Sequence, residues 1–260
     1  LKNIRRSFYL LTIIVSALTF SRGYGQAFFG VKAGANVNKH SFDHEVYKRY
    51  YDTKFSPGYA GGLVFLYENK GRFGLYTEFL YSQKGKSVSV QHNADDYVTN
   101  VADYQYFDVP IMFRIKFEQP KFDWFLQLGP ELNYWLGGKG VFEVYDPNRD
   151  EITSYEYKIN FGETQGSSGY LNVEEGNRLQ IGLALGGGFI WELENANYIS
   201  LDLRFSLGNT YIGGYRASSI PNIGLVDNLE YTNNVLSVSA VYYFDILEKL
   251  RLSKNRYRKH

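Results

Sequence analysis

FDWFLQLGPELNYWL, residues 122–136, decides the fold. Phe122, Trp124, Leu126, Leu128, Pro130, Leu132, Tyr134 and Leu136 share one face, while Asp123, Gln127, Gly129, Glu131 and Asn133 share the other. Phe125 and Trp135 are the exceptions on the polar face. A period of two held this long belongs to a strand with one side against an apolar medium. YFDVPIMFRIKF (106–117) repeats it, setting Phe107, Val109, Ile111, Phe113, Ile115 and Phe117 against Asp108, Arg114 and Lys116. So does FGLYTEFLYSQKG (73–85), with Phe73, Leu75, Thr77, Phe79 and Tyr81 opposite Gly74, Tyr76, Glu78 and Ser82. Leu201, Leu203 and Phe205 likewise oppose Asp202, Arg204 and Ser206, and residues 179–191 set bulky side chains against Gln180, Gly182, Ala184, Gly186 and Gly188.

Two further runs, near 27–37 and 234–244, alternate more loosely, and GYAGGLVFLYE near 58–68 does not disclose its faces. The total is eight. Connections are long near 38–57, short at 69–72, long at 85–103, short at 118–121, long at 137–176, short at 192–197 and long at 209–231. Such alternation predicts an all-β fold, an eight-stranded antiparallel up-and-down transmembrane β-barrel with short periplasmic turns, long extracellular loops and both termini in the periplasm. A soluble ligand-binding barrel has the same period with its apolar side inward. Here one face is bulky and aromatic while the other is rich in Gly, Ala, Ser and charge, which favours lipid outside and a narrow, filled lumen within.

Composition agrees. The 260 residues contain 24 Tyr, 19 Phe and 26 Gly, a balance that favours strands over helices. Lys plus Arg (28) nearly cancel Asp plus Glu (27), so nothing points to nucleic acid. With no cysteine, disulfides, thiolate metal sites and an acylated-cysteine anchor are all excluded.

Residues 1–25 read as a signal peptide, with Lys2, Arg5 and Arg6 before an apolar run from Phe8 to Phe20 and cleavage placed between Gly25 and Gln26. That run is shorter than the ~20 residues a spanning helix needs. The expected organisation is therefore a signal peptide (1–25), a barrel (26–245) and a basic periplasmic tail (246–260). On the last strand Tyr242 and Phe244 resemble the terminal aromatic signal by which the barrel-assembly machinery recognises outer-membrane proteins, although sixteen residues follow Phe244 here.

The segments FFGVKAGAN (28–36), LYTEFLYSQKG (75–85), YFDVPIMFRI (106–115), LQLGPELNY (126–134), LALGGGF (183–189) and LDLRFSLG (201–208) together resemble the PorT-like outer-membrane β-barrel proteins of Bacteroidetes-type bacteria. The resemblance implies an integral outer-membrane protein in contact with lipid, porin-like or of unknown role. A few members of that family serve type IX secretion and gliding.

For chemistry, the inward face offers Lys32, Glu78, Asp108, Arg114, Lys116, Asp123, Glu131, Asp202 and Arg204. Their near balance predicts a paired structural network rather than a lined pore, with Glu78 and Arg114 as the expected cross-strand pair. No catalytic, cofactor or metal residue is expected. His40 and His44 would suit a metal only on a helix and read as a solvated loop, and DPNRDE (146–151) lacks the glycine and distal glutamate of a calcium loop. His92 with Asp95 and Asp96 resembles a rim hydrolase only faintly. The functional expectation is a non-enzymatic envelope component whose loops or tail bind a protein partner. The alternatives are a narrow porin, a type IX accessory protein and, last, a rim hydrolase.

Overall fold

The computed structural model describes residues 25–42, 45–69, 72–93, 96–146, 150–162, 169–174, 176–193, 197–214, 218–219 and 226–245. The elements in chain order are β1 (Gln26–Phe42), α1 (Glu45–Tyr50), β2 (Tyr51–Thr53), β3 (Ser56–Glu68), β4 (Phe73–Asn93), β5 (Asp96–Phe117) and β6 (Asp123–Asp146). They continue with β7 (Glu151–Phe161), β8 (Tyr170–Val173), β9 (Leu179–Glu192), β10 (Asn197–Gly208), β11 (Ser218–Ser219), β12 (Val226–Asp227) and β13 (Tyr231–Asp245). Residues 1–24 of the proposed signal peptide and the proposed tail 246–260 lie outside the described residues.

The long strands form a ring of hydrogen-bonded neighbours. β1 pairs with β3, β3 with β4, β4 with β5, β5 with β6, β6 with β9, β9 with β10, β10 with β13, and β13 returns to β1, all antiparallel. Among the described residues no edge of the ring is left open, which is how antiparallel sheets satisfy their ladder groups without water.

The alternating residues sort as the period requires. Phe29, Val31, Leu63, Phe79, Phe113, Leu128, Leu185, Leu203 and Val238 face outward and are exposed, while Lys32, Glu78, Arg114, Gln127 and Asp202 are buried within. On β4 the exposed apolar residues run from Phe73 to Tyr81, close to the nine to eleven residues that cross a bilayer. The faces of β3 are now clear: Tyr59, Leu63 and Phe65 point out, and Val64 and Leu66 point in. Both faces are apolar, so no sequence alternation exists to read.

Above this band the strands continue. The long connections expected at 85–103 and 137–176 are largely strand, because β4, β5 and β6 extend upward and carry β7 and β8 on the edge of β6, while the described part of 209–231 adds only the short β11 and β12 beyond β8. This extension forms a head over the ring. At its base the ladder of β5 and β6 slips: Tyr106 faces Trp135 and Gln105 faces Gly137, leaving Leu136 as an extra residue. A bulge of this kind reverses the inward parity of β6, so Trp135 points in below it and Phe142 above it.

Candidate functional site: a filled interior beneath a folded head

The ring's interior is built in layers. At the lower mouth Lys116 meets Glu68 at 3.1 Å and Asp123 at 3.8 Å, with Lys116 and Asp123 still partly open to solvent. Just above, the ring of Phe28 packs edge-on against Tyr198 (5.3 Å) and Tyr243 (6.5 Å). The cavity left at this mouth is only about 20 Å³, room for roughly one water.

The next layer belongs to Arg114, whose guanidinium lies 4.0 Å from the Tyr76 ring centre and 3.9 Å from that of Phe125. Its Nε and Nη2 donate to Gln127 at 3.2 and 2.9 Å, and Nη1 donates to the Tyr243 hydroxyl at 3.3 Å. Phe125, an exception to the polar face, is thus a stacking platform. It fits because the facing residue is Gly188, where a Cβ would stand 2.8 Å from the Phe125 ring.

Glu78 sits one layer higher. It accepts from Lys32 at 2.6 Å and from Arg204, while Lys32 also reaches Asp202 at 3.4 Å and Ser200 donates to Asp202 at 2.6 Å. The expected Glu78 and Arg114 pair is therefore corrected. Arg114 lies opposite Gly74 in the β4–β5 register, four residues from Glu78, and turns to Gln127, Tyr243 and, at 4.0 Å, Asp202.

Above it, Asp108 accepts from Ser82 at 2.6 Å and from Lys84 at 3.1 Å, Lys84 also donates to Asn133 at 2.7 Å, and Ser206 donates to Glu131 at 2.6 Å. In these middle layers the acids Glu78, Asp108, Glu131 and Asp202 match the bases Lys32, Lys84, Arg114 and Arg204, all buried. Balance matters because a buried charge without a partner costs several kcal/mol. Lys84 was missed by sequence reading, although it continues the inward parity of Tyr76, Glu78 and Ser82. A layer of amides follows, with Asn38 donating to Gly85 O at 2.9 Å and Asn233 to the Tyr106 hydroxyl at 3.2 Å. The cavity beside Lys84, Glu131 and Asn233 is about 10 Å³.

The head has a different interior. Phe42, Val88, Tyr104, Trp135, Phe142, Tyr157, Leu171, Ile212 and Tyr231 form one buried cluster. Phe42 stacks on Tyr51 at 4.7 Å, Trp135 meets Phe161 edge-on at 4.8 Å, and Tyr157 donates to Asn100 at 2.7 Å. An ion pair is embedded there, Lys86 with Asp227 at 2.5 Å, and Lys86 also lies over the Tyr231 ring at 4.8 Å. Burial lowers the Lys86 pKa, and Asp227 offsets part of that. His40 is not in a solvated loop but near the top of β1, buried, its ring 4.4 Å from that of Tyr231. Burial, with Lys86 nearby, holds its pKa well below the usual value for a histidine. His44 and the side chains of His92, Asp95 and Asp96 lie outside the described residues, as do Pro147, Asn148 and Arg149 of the acidic turn.

On the outer surface of the head a groove of about 490 Å³ runs over β5, β6 and β7 between Val101, Asp103, Lys139, Val141, Glu156 and Lys158. Its charges are mixed. At the opposite end of the molecule Tyr242 and Phe244, the residues of the expected insertion signal, are half-buried at the end of β13 with ring centres 4.8 Å apart.

Residues 21–211 match the model of the outer membrane protein beta-barrel domain. The chain belongs to that family. Membership places this outer-membrane β-barrel protein in the outer membrane, and the closed ring with its apolar exterior is the matching architecture. Among solved structures it is similar to OprG from Pseudomonas aeruginosa, at 14% identity over 86% of this chain and 98% of that one, with a TM-score of 0.45. Neisserial surface protein A, at 12% identity, covers 85% of this chain and 100% of its own with a TM-score of 0.40. Ail of Yersinia pestis, solved with the heparin analogue sucrose octasulfate, is 14% identical over 84% and 99% with a TM-score of 0.38. No curated protein matches the outer-membrane β-barrel protein described here.

Proposed function

We propose that this protein is an eight-stranded transmembrane barrel of the PorT-like type, non-enzymatic, with a sealed lumen and a head held outside the cell for contact with another protein. The observation that carries this reading is the filling of the interior: paired charges occupy the middle, and the cavities at the lower mouth and beside Lys84 measure about 20 and 10 Å³. An eight-stranded ring leaves room for side chains and little else, so the network of Lys32, Glu78, Asp108, Arg114, Glu131, Asp202 and Arg204 serves as packing. Lys116 and Asp123 close the mouth.

In this reading both termini are periplasmic, the short turns at 69–72, 118–121 and 192–197 face the periplasm, the signal peptide is removed near Gly25, and the assembly machinery reads Tyr242 and Phe244. Tail residues 246–260 remain on the periplasmic side. Conductance tests it. In planar bilayers the refolded full chain is expected to give no discrete openings; steady single-channel steps would replace the sealed barrel with a narrow porin.

A further inference from the structure

Within the head, β7 is paired on one side throughout residues 151–158 by β6, in the register Asp146 to Glu151 through Lys139 to Lys158. Its other side is covered only from Lys158 onward, where β8 runs parallel from Lys158 opposite Tyr170 to Phe161 opposite Val173. Residues 151–157, EITSYEY, therefore have no second partner strand among the described residues.

The direction of the bare groups follows from one hydrogen bond. Lys158 N donates to Gly169 O at 3.0 Å, away from β6, so residues of the same parity point their backbone groups outward from the sheet. Ile152, Ser154 and Glu156 thus present three N–H donors and three carbonyl acceptors along the edge. Their side chains are exposed, Ile152 to 57%.

Edges of this kind are normally blunted by Pro, Lys or a bulge. None of these occurs in 151–157, and the β6–β7 ladder has no register shift. The sequence instead favours pairing, with Ile152, Thr153 and Tyr155 all good strand formers. Charge selects among occupants, since Glu143, Asp150, Glu151 and Glu156 are exposed on this hairpin and outnumber the exposed Lys139 and Lys158, which lie opposite each other in the ladder at its far end, where β8 begins to cover β7. A second copy laid on the same edge would bring its own four acids against these.

We propose that residues 152–156 form a docking edge that accepts an extended, basic segment of a partner protein as an added strand. Backbone hydrogen bonds to Ile152, Ser154 and Glu156 supply affinity, and the surrounding carboxylates select Lys or Arg. This rests on the reading of a head-bearing barrel but fails separately from it: conductance judges the lumen, and binding judges the edge.

The probe is a fluorescent ten-residue peptide of alternating Lys and Thr, titrated by anisotropy against the full chain in lipid nanodiscs. The same peptide N-methylated at every second residue keeps its charge and loses its donors on one side. Binding of the plain peptide is expected, weakened at least about tenfold by N-methylation. Ser154→Pro is expected to cause a loss of similar size, because that N–H points away from β6 and its removal leaves the native ladder whole. The heat-dependent gel shift verifies that this variant is folded. Glu151→Gln with Glu156→Gln is expected to weaken binding and reduce its salt dependence. Equal affinity for both peptides, absence of binding, or an unchanged affinity in folded Ser154→Pro would overturn the proposal. A dimer of the chain that Ser154→Pro dissolves would overturn the choice of occupant.

Discussion

Below the level of Tyr59, Tyr81 and Phe107, the strands turn their apolar side outward and their charges inward. Above it Phe42, Trp135 and Phe142 point inward while Lys39, Lys139 and Glu143 face out. The same chain, and on β4, β5 and β6 the same strands, therefore satisfy two solvents. In the ring the apolar side is outside, so the interior is free to carry paired charges beside a small apolar cluster of Phe28, Val64, Leu66, Met112 and Val241, since hydrocarbon outside leaves burial little advantage over exposure. In the head the water outside restores the ordinary hydrophobic drive, so aromatics collapse into a core. Matched charges dominate the middle of the ring, and packed aromatic rings dominate the head.

That contrast can be broken residue by residue. The largest effect is expected from Glu78→Gln, which strips Lys32 and Arg204 of their shared acceptor and should cost about 3–5 kcal/mol. A fall in the temperature of the heat-dependent gel shift measures it, and an unchanged temperature would show that the charges carry no load. Trp135→Ala should cost about 3 kcal/mol but only in the head, through the cavity it leaves against Tyr104 and Phe161. Limited proteolysis should then cut the head while the ring keeps its shift; loss of both together would mean that ring and head fold as one unit.

A smaller effect separates the two regions by pH. His40 is neutral when folded and has a depressed pKa, whereas an unfolded histidine takes up a proton below about pH 6.5. Stability from this group is therefore unaffected above that value and falls as the pH drops through it. Protease resistance of the head should decline between about pH 6.5 and 5, and His40→Leu should flatten the decline. An identical slope in the variant would assign the pH response elsewhere. At the bottom of the scale, Lys48→Ala removes an exposed pair with Glu45 at 3.0 Å and should change stability by less than about 0.5 kcal/mol.

The outward and inward faces of β4, β5, β6, β9 and β10 were legible because lipid on one side and charge on the other produce a period of two. The inward placement of Lys32, Glu78, Asp108, Arg114, Glu131, Asp202 and Arg204 came from that period alone. Pairing did not. Register decides who meets whom across the lumen, so Glu78 found Lys32 from β1 and Arg204 from β10 rather than Arg114 from the adjacent strand. Asp227 was out of reach for another reason, being 141 residues from Lys86 within a connection that reads as a loop. The extra residue at Leu136 was equally hidden: in sequence it simply continues the alternation, and only the partner strand shows that the ladder has slipped. Phe125 and Trp135 were visible as anomalies, and both are interior packing residues.

The seam between β1 and β13 joins Phe28 to Asp245 and Phe42 to Tyr231, the two ends of the ring-forming chain. During synthesis the first strand must therefore wait for the last, with every residue between them already made, before its free side is matched. Closing so long a loop is slow compared with forming the hairpins along the way. Until then β1 and β10 both offer bare edges, and a chain cut before Tyr231 would keep them permanently. The last fifteen residues of the ring thus act as a completeness check: an unfinished copy has nothing with which to close.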